Sequence, residues 1–221
     1  ESVANTSWRV RGDCPPLAPL DLDVPGDPSS AAYAVALACC LPKSEVVVQG
    51  LSLNPTRLGF YALLRRMGAN VDWDASGAGP EPRGELTARS SALHGVELGP
   101  DDVVSAIDEL PLLAVVAAAA EGTTTIRGAG ELRHKETDRI AATAALLRAA
   151  GVKHEELDDG LVIHGPTQFL AASFDAMGDH RIAMCATVLA ALAEGQSELT
   201  GGAWVRISYP EFFTDLERLS G

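Results

Sequence analysis

The feature that most constrains the fold of this chain is a pattern that occurs three times along it. Each occurrence begins with an aspartate, continues through an apolar, alanine-rich run and a short strand-like segment, and ends at a glycine. The three pairs, which are 23, 20 and 22 residues apart, are Asp27 and Gly50, Asp108 and Gly128, and Asp179 and Gly201. Regular spacing of this kind indicates repeated units that pack against one another.

Each occurrence predicts the same order of elements. The apolar runs predict helices at residues 31–41, 112–120 and 182–193, and strands follow at 45–49, 123–127 and 197–200. Second helices are predicted at 56–67, 135–150 and 210–219. Hairpin-like strands are expected between the units, with 84–88 before 95–98 and 161–164 before 172–175.

The apolar helices determine the expected arrangement of these elements. A helix that is apolar nearly all round must be buried on several sides, so the first helix of each unit is expected at the centre with small sheets outside. We therefore predict an α+β fold, with one domain over residues 1–221 and pseudo-repeated units at about 24–100, 101–175 and 176–219. The Gly- and Pro-rich stretch at 77–84 is interpreted as a loop within a unit and not as a domain boundary.

The composition excludes several classes of function. The chain has 221 residues, is 47% hydrophobic and carries a formal net charge of −13. An acidic protein lacks the basic footprint that nucleic acids and anionic membranes require. The apolar run 110–120 is too short to cross a bilayer, so we predict a soluble, cytoplasmic protein. Because the chain does not begin with Met, it is expected to be a piece of a longer one.

The cysteines indicate a reducing compartment. The chain contains Cys14, Cys39, Cys40 and Cys185, with no CxxC spacing. Cys39 and Cys40 lie inside an apolar run, which favours buried structural thiols over disulfides or metal ligands.

The hexapeptide HKETDR at 134–139 is the strongest chemical signal in the sequence. It precedes an apolar run, and we interpret it as the first turn of a helix. A helix N-terminus carries about half a positive charge, so Lys135 and Arg139 go against the usual preference there. An anionic ligand held by these cations and by free backbone N–H groups accounts for them.

A second cluster has the same character. The sequence GDHR at 178–181 opens another apolar run and places His180 and Arg181 in its first turn. Two such openings in one acidic chain predict a site for a small molecule with several negative charges.

Two structural alternatives remain open at this point. Lys135 can pair with Glu131 or Asp138, and Arg139 with Glu136, on a solvated face, where ion pairs are common and weak. Asp108, like Asp27 and Asp179, can be no more than the N-cap of the helix that follows it.

With the repeat and both clusters in hand, the sequence resembles the enolpyruvyl transferases, and among them the 5-enolpyruvylshikimate-3-phosphate synthase family. The segments that carry the resemblance occur in the family's order and cover nearly all of the chain. They are GDPSSAA at 26–32, DELP at 108–111, ELRHKETDR at 131–139, GLVIHG at 160–165, DHRIAM at 179–184 and SYPEFF at 208–213.

The resemblance implies a fold and a reaction. The family fold is an inside-out α/β structure of two similar domains, each with three repeated units around buried helices, and this chain resembles the C-terminal domain. The family transfers the enolpyruvyl group of phosphoenolpyruvate to the 5-hydroxyl of shikimate-3-phosphate and releases phosphate. It uses no metal and no organic cofactor. The implied partners are these two substrates and the N-terminal domain of the same enzyme, without which the half is expected to be inactive.

The resemblance also implies roles for individual residues. Arg139 and Arg181 match the arginines that hold phosphoenolpyruvate, and a guanidinium suits bidentate recognition of carboxylate or phosphate. The four positions that match catalytic residues are Asp108, Lys135, Glu136 and His180. Asp108 and Lys135 also match contacts to shikimate-3-phosphate.

The sequence departs from the family pattern at two positions. Ile207 stands where some members carry a phosphate-binding Lys, and Arg206 is one residue out of register as a substitute. Glu131 stands where some relatives have a substrate-binding Asn.

Three other functions are alternatives to this one. The sister UDP-N-acetylglucosamine enolpyruvyl transferases share the fold but normally lack the KETDR match. A lone half can also serve as a non-catalytic anion-binding or folding module. Related folds process RNA ends, which the net charge of −13 argues against. His94, His154 and His164 are scattered and lack metal-ligand spacing.

Overall fold

The computed structural model describes residues 2–4, 7–9, 12, 13, 16, 19, 21–76 and 81–219. The helices in this part of the chain are α1 (Pro28–Cys40), α2 (Gly59–Arg66), α3 (Pro100–Ala106), α4 (Leu110–Ala119), α5 (Arg139–Ala149), α6 (His180–Leu192) and α7 (Phe212–Leu219). Turns of 3₁₀ helix lie at Pro55–Arg57, Ile107–Glu109, Gly130–His134 and Gly202–Ile207. The α+β class predicted from the sequence is confirmed.

The strands form small separate sheets. They are β1 (Ser2–Ala4), β2 (Ser7–Trp8), β3 (Glu45–Ser52), β4 (Asn70–Ser76), β5 (Arg83–Arg89), β6 (Glu97–Leu98), β7 (Gly122–Ile126), β8 (Lys153–Leu157), β9 (Gly160–Gly165), β10 (Ser173–Asp175) and β11 (Glu198–Thr200). The sheet orders are β1-β2, β3-β5-β4, β6-β7-β9-β8 and β10-β11. The β6–β7 and β10–β11 pairs are parallel, and the remaining pairs are antiparallel.

The predicted hairpins between units are wrong in their pairing. Strands β5 and β6 belong to different sheets, and so do β9 and β10. The antiparallel neighbours in sequence are instead β4 with β5 and β8 with β9. A short link allows two consecutive strands to pair directly, and β8 and β9 are separated only by a turn at Asp158 and Asp159.

The hydrophobic core is built around three helices. Helices α1, α4 and α6 contact one another pairwise. Every residue of α4 from Leu110 to Ala118 is buried. Burial on all sides agrees with the apolar character of these helices in the sequence, and it leaves their N-terminal ends as the places where polar groups gather.

Two of the three aspartates cap helices as predicted. Asp27 accepts a hydrogen bond from the Ser30 backbone N–H at 3.0 Å, with Pro28 as the first residue of α1. Asp179 accepts from the backbone N–H of Arg181 at 2.8 Å. The cap interpretation of Asp108 is wrong, because Asp108 lies inside a 3₁₀ turn and Glu109 occupies the position before α4.

The predicted start of the helix at 135–150 is also wrong. Helix α5 begins at Arg139, and Asp138 is its N-cap, accepting from the Ala141 backbone N–H at 3.0 Å. Lys135 follows a 3₁₀ turn in extended conformation, with φ −82° and ψ −160°. Of the two cations in the motif, Lys135 therefore lies in a loop before the helix, and Arg139 lies in its first turn.

Two further sequence predictions concern thiols and membranes. Cys39 and Cys185 are buried free thiols and Cys40 is a half-buried one, as predicted, whereas Cys14 lies outside the described residues. None of the helices described is both long and apolar enough to cross a membrane.

Candidate functional site

A cluster of charged side chains gathers where helices α4, α5 and α6 begin. We call it the charged cluster, and its members are Asp108, Lys135, Glu136, Arg139, Asp179 and Arg181. The Asp108 carboxylate contacts three cations: Arg139 Nη1 at 3.1 Å, Arg181 Nη2 at 3.5 Å and Lys135 Nζ at 3.7 Å. The structure thus brings together both sequence motifs and the aspartate before α4.

Arg139 is the centre of this cluster. Its side chain is 2% exposed, and its Nε donates to Asp179 Oδ2 at 2.7 Å. Its Nη1 donates to Asp108 at 3.1 Å and its Nη2 to Glu136 Oε2 at 2.7 Å. Both outward partners are accessible, since the side chains of Asp108 and Glu136 are 40% and 51% exposed. An anionic ligand that replaced one of these two carboxylates would contact the guanidinium directly.

Asp179 is a member of the charged cluster that the sequence indicates only as a helix cap. Its side chain is fully buried, and besides capping α6 it binds the guanidinium of Arg139, the first residue of the preceding helix α5. A buried carboxylate that binds a buried arginine locks the directions of both groups. The DHR motif contained the residue, but the contact joins positions 40 apart in sequence.

Arg181 is held on one side by Glu109. Its Nη1 donates to Glu109 Oε1 at 3.1 Å and to the Asp108 backbone carbonyl at 3.2 Å. Burial alone would lower the pKa of the Arg181 guanidinium, but the neighbouring Tyr33, Asp108 and Glu109 raise it, so the side chain stays cationic. In the sequence Glu109 stands out only as part of the DELP motif, and no sequence pattern indicates its contact with Arg181.

Lys135 lies between two carboxylates. Its Nζ is 3.7 Å from Asp108 and 3.4 Å from Glu131, and the side chain is 26% exposed. The pairs Lys135–Glu131 and Arg139–Glu136 of the surface alternative therefore exist. The surface location predicted for the Arg139–Glu136 pair is wrong, because the Arg139 side chain is buried and is not part of a solvated face.

His180 stands at the edge of the cluster as the first residue of α6. Partial burial lowers its pKa, and the cations Arg181 and Arg139 lower it further against the opposing effect of Asp179. A neutral imidazole can accept or donate a proton at neutral pH. His180 and Arg181 both line a small cavity of about 30 Å³, together with residues of the first turn of α1.

The remaining candidates from the sequence do not join the cluster. Arg206 is exposed at the end of a 3₁₀ turn, and within residues 21–76 and 81–219 it makes no ion pair. Ile207 is 66% exposed. Among the described residues no group of His, Cys, Asp or Glu has the arrangement of a metal site. Two large grooves of about 510 and 520 Å³ lie between α1, β3 and α7, and no member of the charged cluster lines them.

Solved structures with the same fold include enolpyruvyl transferases. The EPSP synthase of Acinetobacter baumannii superposes with a TM-score of 0.85 and 35% identity over 89% of this chain and 46% of that one. The enolpyruvyl transferase NikO of Streptomyces tendae superposes with a TM-score of 0.73 and 25% identity, over 90% of this chain and 44% of that one. The fold is therefore that of the enolpyruvyl transferases.

The sequence comparisons identify the family within this class. The sequence model of the family EPSP synthase (3-phosphoshikimate 1-carboxyvinyltransferase) matches residues 1–216. A 3-phosphoshikimate 1-carboxyvinyltransferase of Roseiflexus sp. strain RS-1 is 46% identical over 92% of this chain and 47% of its own length, and one of Geobacter sulfurreducens is 45% identical over 90% and 47%. The chain belongs to the EPSP synthase family, and it spans about half the length of these curated relatives.

Proposed function

We propose that this chain is the C-terminal half of an enzyme that transfers the enolpyruvyl group of phosphoenolpyruvate to the 5-hydroxyl of shikimate-3-phosphate. The observation that carries the proposal is the contact of one carboxylate, Asp108, with Lys135, Arg139 and Arg181 in a chain of this family. The matched family and the relatives named above are of the shikimate-phosphate type, which does not favour the UDP-N-acetylglucosamine alternative.

The charges of the cluster suit phosphoenolpyruvate. This substrate carries a carboxylate and a phosphate on adjacent positions of one small molecule, and two anionic groups in one cleft need cations close by. Arg181 offers a guanidinium that is 15% exposed. Arg139 becomes available when the ligand takes the place of Glu136 or Asp108. The exchange keeps the buried arginine paired, so its desolvation remains compensated.

The reaction requires two proton transfers that are then reversed. The 5-hydroxyl oxygen attacks C2 of phosphoenolpyruvate, its proton passes to a base, and the methylene carbon C3 takes a proton from an acid. In the resulting tetrahedral adduct C3 loses a proton, the double bond forms again, and the bond from C2 to the phosphate oxygen breaks. The products are the enolpyruvyl ether and inorganic phosphate.

Four residues of this chain are assigned to the proton transfers and to the hydroxyl. Asp108 and Lys135 bind the attacking hydroxyl and take part in moving its proton. Glu136, whose carboxylate is half exposed beside Arg139, exchanges the proton with C3. His180, the first residue of α6, supports these steps as a neutral imidazole. Each well-placed proton transfer contributes on the order of 10²–10⁴-fold to the rate.

The proposed enzyme needs a second half. The family's N-terminal domain supplies most contacts to shikimate-3-phosphate, so this chain alone turns over little substrate because the transition state is bound by both domains. We also propose that the chain is a single domain of three pseudo-repeated units at about 24–100, 101–175 and 176–219, arranged inside out. The mutual contacts of α1, α4 and α6 support this arrangement.

The test is phosphate release from phosphoenolpyruvate and shikimate-3-phosphate. It is measured with this chain alone, with the N-terminal half of a curated relative alone, and with both. The proposal predicts release only in the mixture, and only when both substrates are present. Two folded and associated halves that release no phosphate would overturn the proposal and favour a non-catalytic anion-binding module.

A further inference from the structure

We propose that Glu109 is a positioning residue that sets the direction of the Arg181 guanidinium and joins it to the first turn of α1. The structural part of this proposal stands on the geometry alone. The part that concerns phosphoenolpyruvate rests on the function proposed above.

Glu109 is held between two elements by one carboxylate oxygen. Its Oε1 accepts a hydrogen bond from Ser29 Oγ at 2.5 Å and from Arg181 Nη1 at 3.1 Å. The Glu109 side chain is only 13% exposed. A carboxylate this far from solvent with two donors on one oxygen has little freedom to turn, and neither has the guanidinium that it binds.

These contacts decide which edge of Arg181 is open. Nη1 is occupied by Glu109 and by the Asp108 carbonyl, at 3.1 and 3.2 Å. Among the described residues, Nη2 contacts only the Asp108 carboxylate, at 3.5 Å. Within the described part of the chain Nε of Arg181 makes no hydrogen bond. Bidentate recognition of a carboxylate uses two neighbouring N–H groups, and the Nε–Nη2 edge is the one that Glu109 leaves free.

A capping role does not explain this carboxylate. Glu109 occupies the position before the first residue of α4, where Asp, Asn, Ser and Thr side chains commonly bind the free backbone N–H groups. The Glu109 side chain makes no such bond. Its two hydrogen bonds run to other helices, α1 and α6.

The Ser29 end of the link is itself fixed. Arg57 Nη2 donates to Ser29 Oγ at 3.1 Å and to Asp27 Oδ1 at 2.7 Å. A continuous series of hydrogen bonds therefore runs from the N-cap of α1 through Ser29 and Glu109 to Arg181. It ties the first turn of α1 to the cation at the start of α6.

The structural claim is tested by NMR of the arginine guanidinium groups in this chain. Glu109→Gln keeps the size of the side chain and removes its charge. Slow rotation about the Nε–Cζ and Cζ–Nη bonds of Arg181, seen as separate Nη proton signals, is expected to be lost in this variant while the signals of Arg139 persist. Unchanged Arg181 signals would overturn the proposal.

The functional claim is tested by the kinetics of the chain supplemented with the N-terminal half. Glu109→Gln is expected to raise KM for phosphoenolpyruvate about tenfold, the effect of losing one charge-assisted hydrogen bond. KM for shikimate-3-phosphate is expected to change less than about twofold, because the side-chain hydrogen bonds of Glu109 run to Ser29 and Arg181 and not to Asp108 or Lys135. A folded Glu109→Gln enzyme with an unchanged KM for phosphoenolpyruvate overturns the proposal.

The chain offers a matched control for this variant. Glu156 accepts from Arg133 Nη2 at 3.1 Å, the same kind of bond at the same length, and neither residue belongs to the charged cluster. Glu156→Gln is expected to leave both KM values unchanged. If Glu109→Gln does not fold, Ser29→Ala tests the same link and is expected to raise KM for phosphoenolpyruvate about threefold. An unchanged value for Ser29→Ala then overturns the proposal.

Failure of the proposed function has a different outcome. If the unmodified mixture releases no phosphate, the proposed function fails and the NMR comparison still decides whether Glu109 holds Arg181. If the unmodified mixture is active and only the variant prediction fails, the role of Glu109 is overturned and the proposed function stands.

Discussion

Arg139 and Asp179 form an ion pair that is closed to solvent. The Arg139 Nε atom donates to Asp179 Oδ2 at 2.7 Å, and the two side chains are 2% and 0% exposed. Because Asp179 also caps α6 and Arg139 is the first residue of α5, the pair fixes the starts of two helices relative to each other. A buried pair of this kind adds little net stability, but removal of one partner leaves an uncompensated charge.

The first prediction concerns the stability of an Asp179→Ala variant. Loss of the carboxylate leaves Arg139 without its most buried partner, and we expect the free energy of unfolding to fall by about 3–5 kcal/mol. The change is measured by urea unfolding of the chain followed by far-UV circular dichroism.

Asp27→Ala is the control for this measurement. Asp27 caps α1 in the same way, but its ion pair with Arg57 is about half exposed. Removal of such a cap costs about 0.5–2 kcal/mol. Equal losses in both variants would mean that Asp179 acts only as a cap and that the buried pair is not important.

The helix starts illustrate what sequence reasoning can see. Asp27 with Pro28, and Asp179 with its apolar run, predicted the starts of α1 and α6 because capping depends on backbone groups within three residues. The contact of Asp179 with Arg139 depends on how two helices pack, and no local pattern encodes it. The site residues were found through motifs, whereas Asp179 and Glu109 acquire their roles only in three dimensions.

The loop before α5 shows where the same reasoning fails. Residues 135–138 are polar and compatible with a first helical turn, so periodicity extends the helix too far. Asp138 ends that possibility by adopting an extended conformation, with φ −66° and ψ 91°. The prediction of strand pairing fails because a local pattern does not show which distant strands meet. Strands β3 and β5, for example, pair although a helix and a strand lie between them in the sequence.

The second prediction concerns the two arginines of the charged cluster. In the supplemented enzyme, Arg139→Ala and Arg181→Ala are each expected to lower kcat/KM for phosphoenolpyruvate by at least about thirtyfold, which corresponds to roughly 2 kcal/mol or more for a lost charged partner. Losses below threefold for both variants would contradict the assignment of the arginines to this substrate.

The third prediction uses the different burial of the same two arginines. Arg139→Ala leaves Asp179 buried and unpaired, so it is expected to lower the free energy of unfolding by about 3 kcal/mol or more. Arg181 is 15% exposed; without it Glu109 keeps the hydrogen bond from Ser29, and Asp108 keeps two other cations. The destabilisation by Arg181→Ala, measured by the same urea titration, is expected to be clearly smaller. A larger loss for Arg181→Ala would contradict the central place of Arg139.

The fourth prediction concerns the pKa of His180. Partial burial, with Arg181 and Arg139, holds this pKa below its ordinary value of 6.5. The unfolded chain therefore takes up the proton first as the pH falls, so the contribution of neutral His180 to stability is full above pH 6.5 and is lost between that value and the folded pKa. NMR titration of the imidazole is expected to give a midpoint below 6.5 in the free protein. A bound anion close by should raise it, and a midpoint above 6.5 without ligand would contradict the account.

The fifth prediction concerns the thiols. Burial raises the pKa of Cys39 to about 11, against the opposing effect of a hydrogen bond with Ser91. Burial, and to a smaller extent the neighbouring Cys39, raises the pKa of Cys40 to about 12. Reaction with a disulfide reagent requires the thiolate. In a Cys14→Ser variant the native protein at pH 8 is expected to react about a hundredfold more slowly than the urea-unfolded one. Rapid reaction of the folded protein would contradict the burial of these residues.

The most direct test of the central claim follows the proton on the methylene carbon. The supplemented enzyme is incubated with phosphoenolpyruvate and shikimate-3-phosphate in D₂O, and the enolpyruvyl product is examined by proton NMR and mass spectrometry. Addition followed by elimination passes through a methyl group, so the account predicts deuterium in the product methylene, and loss of both deuterium and turnover in Glu136→Gln. A product that forms at the normal rate without deuterium would contradict the proposed chemistry of the charged cluster.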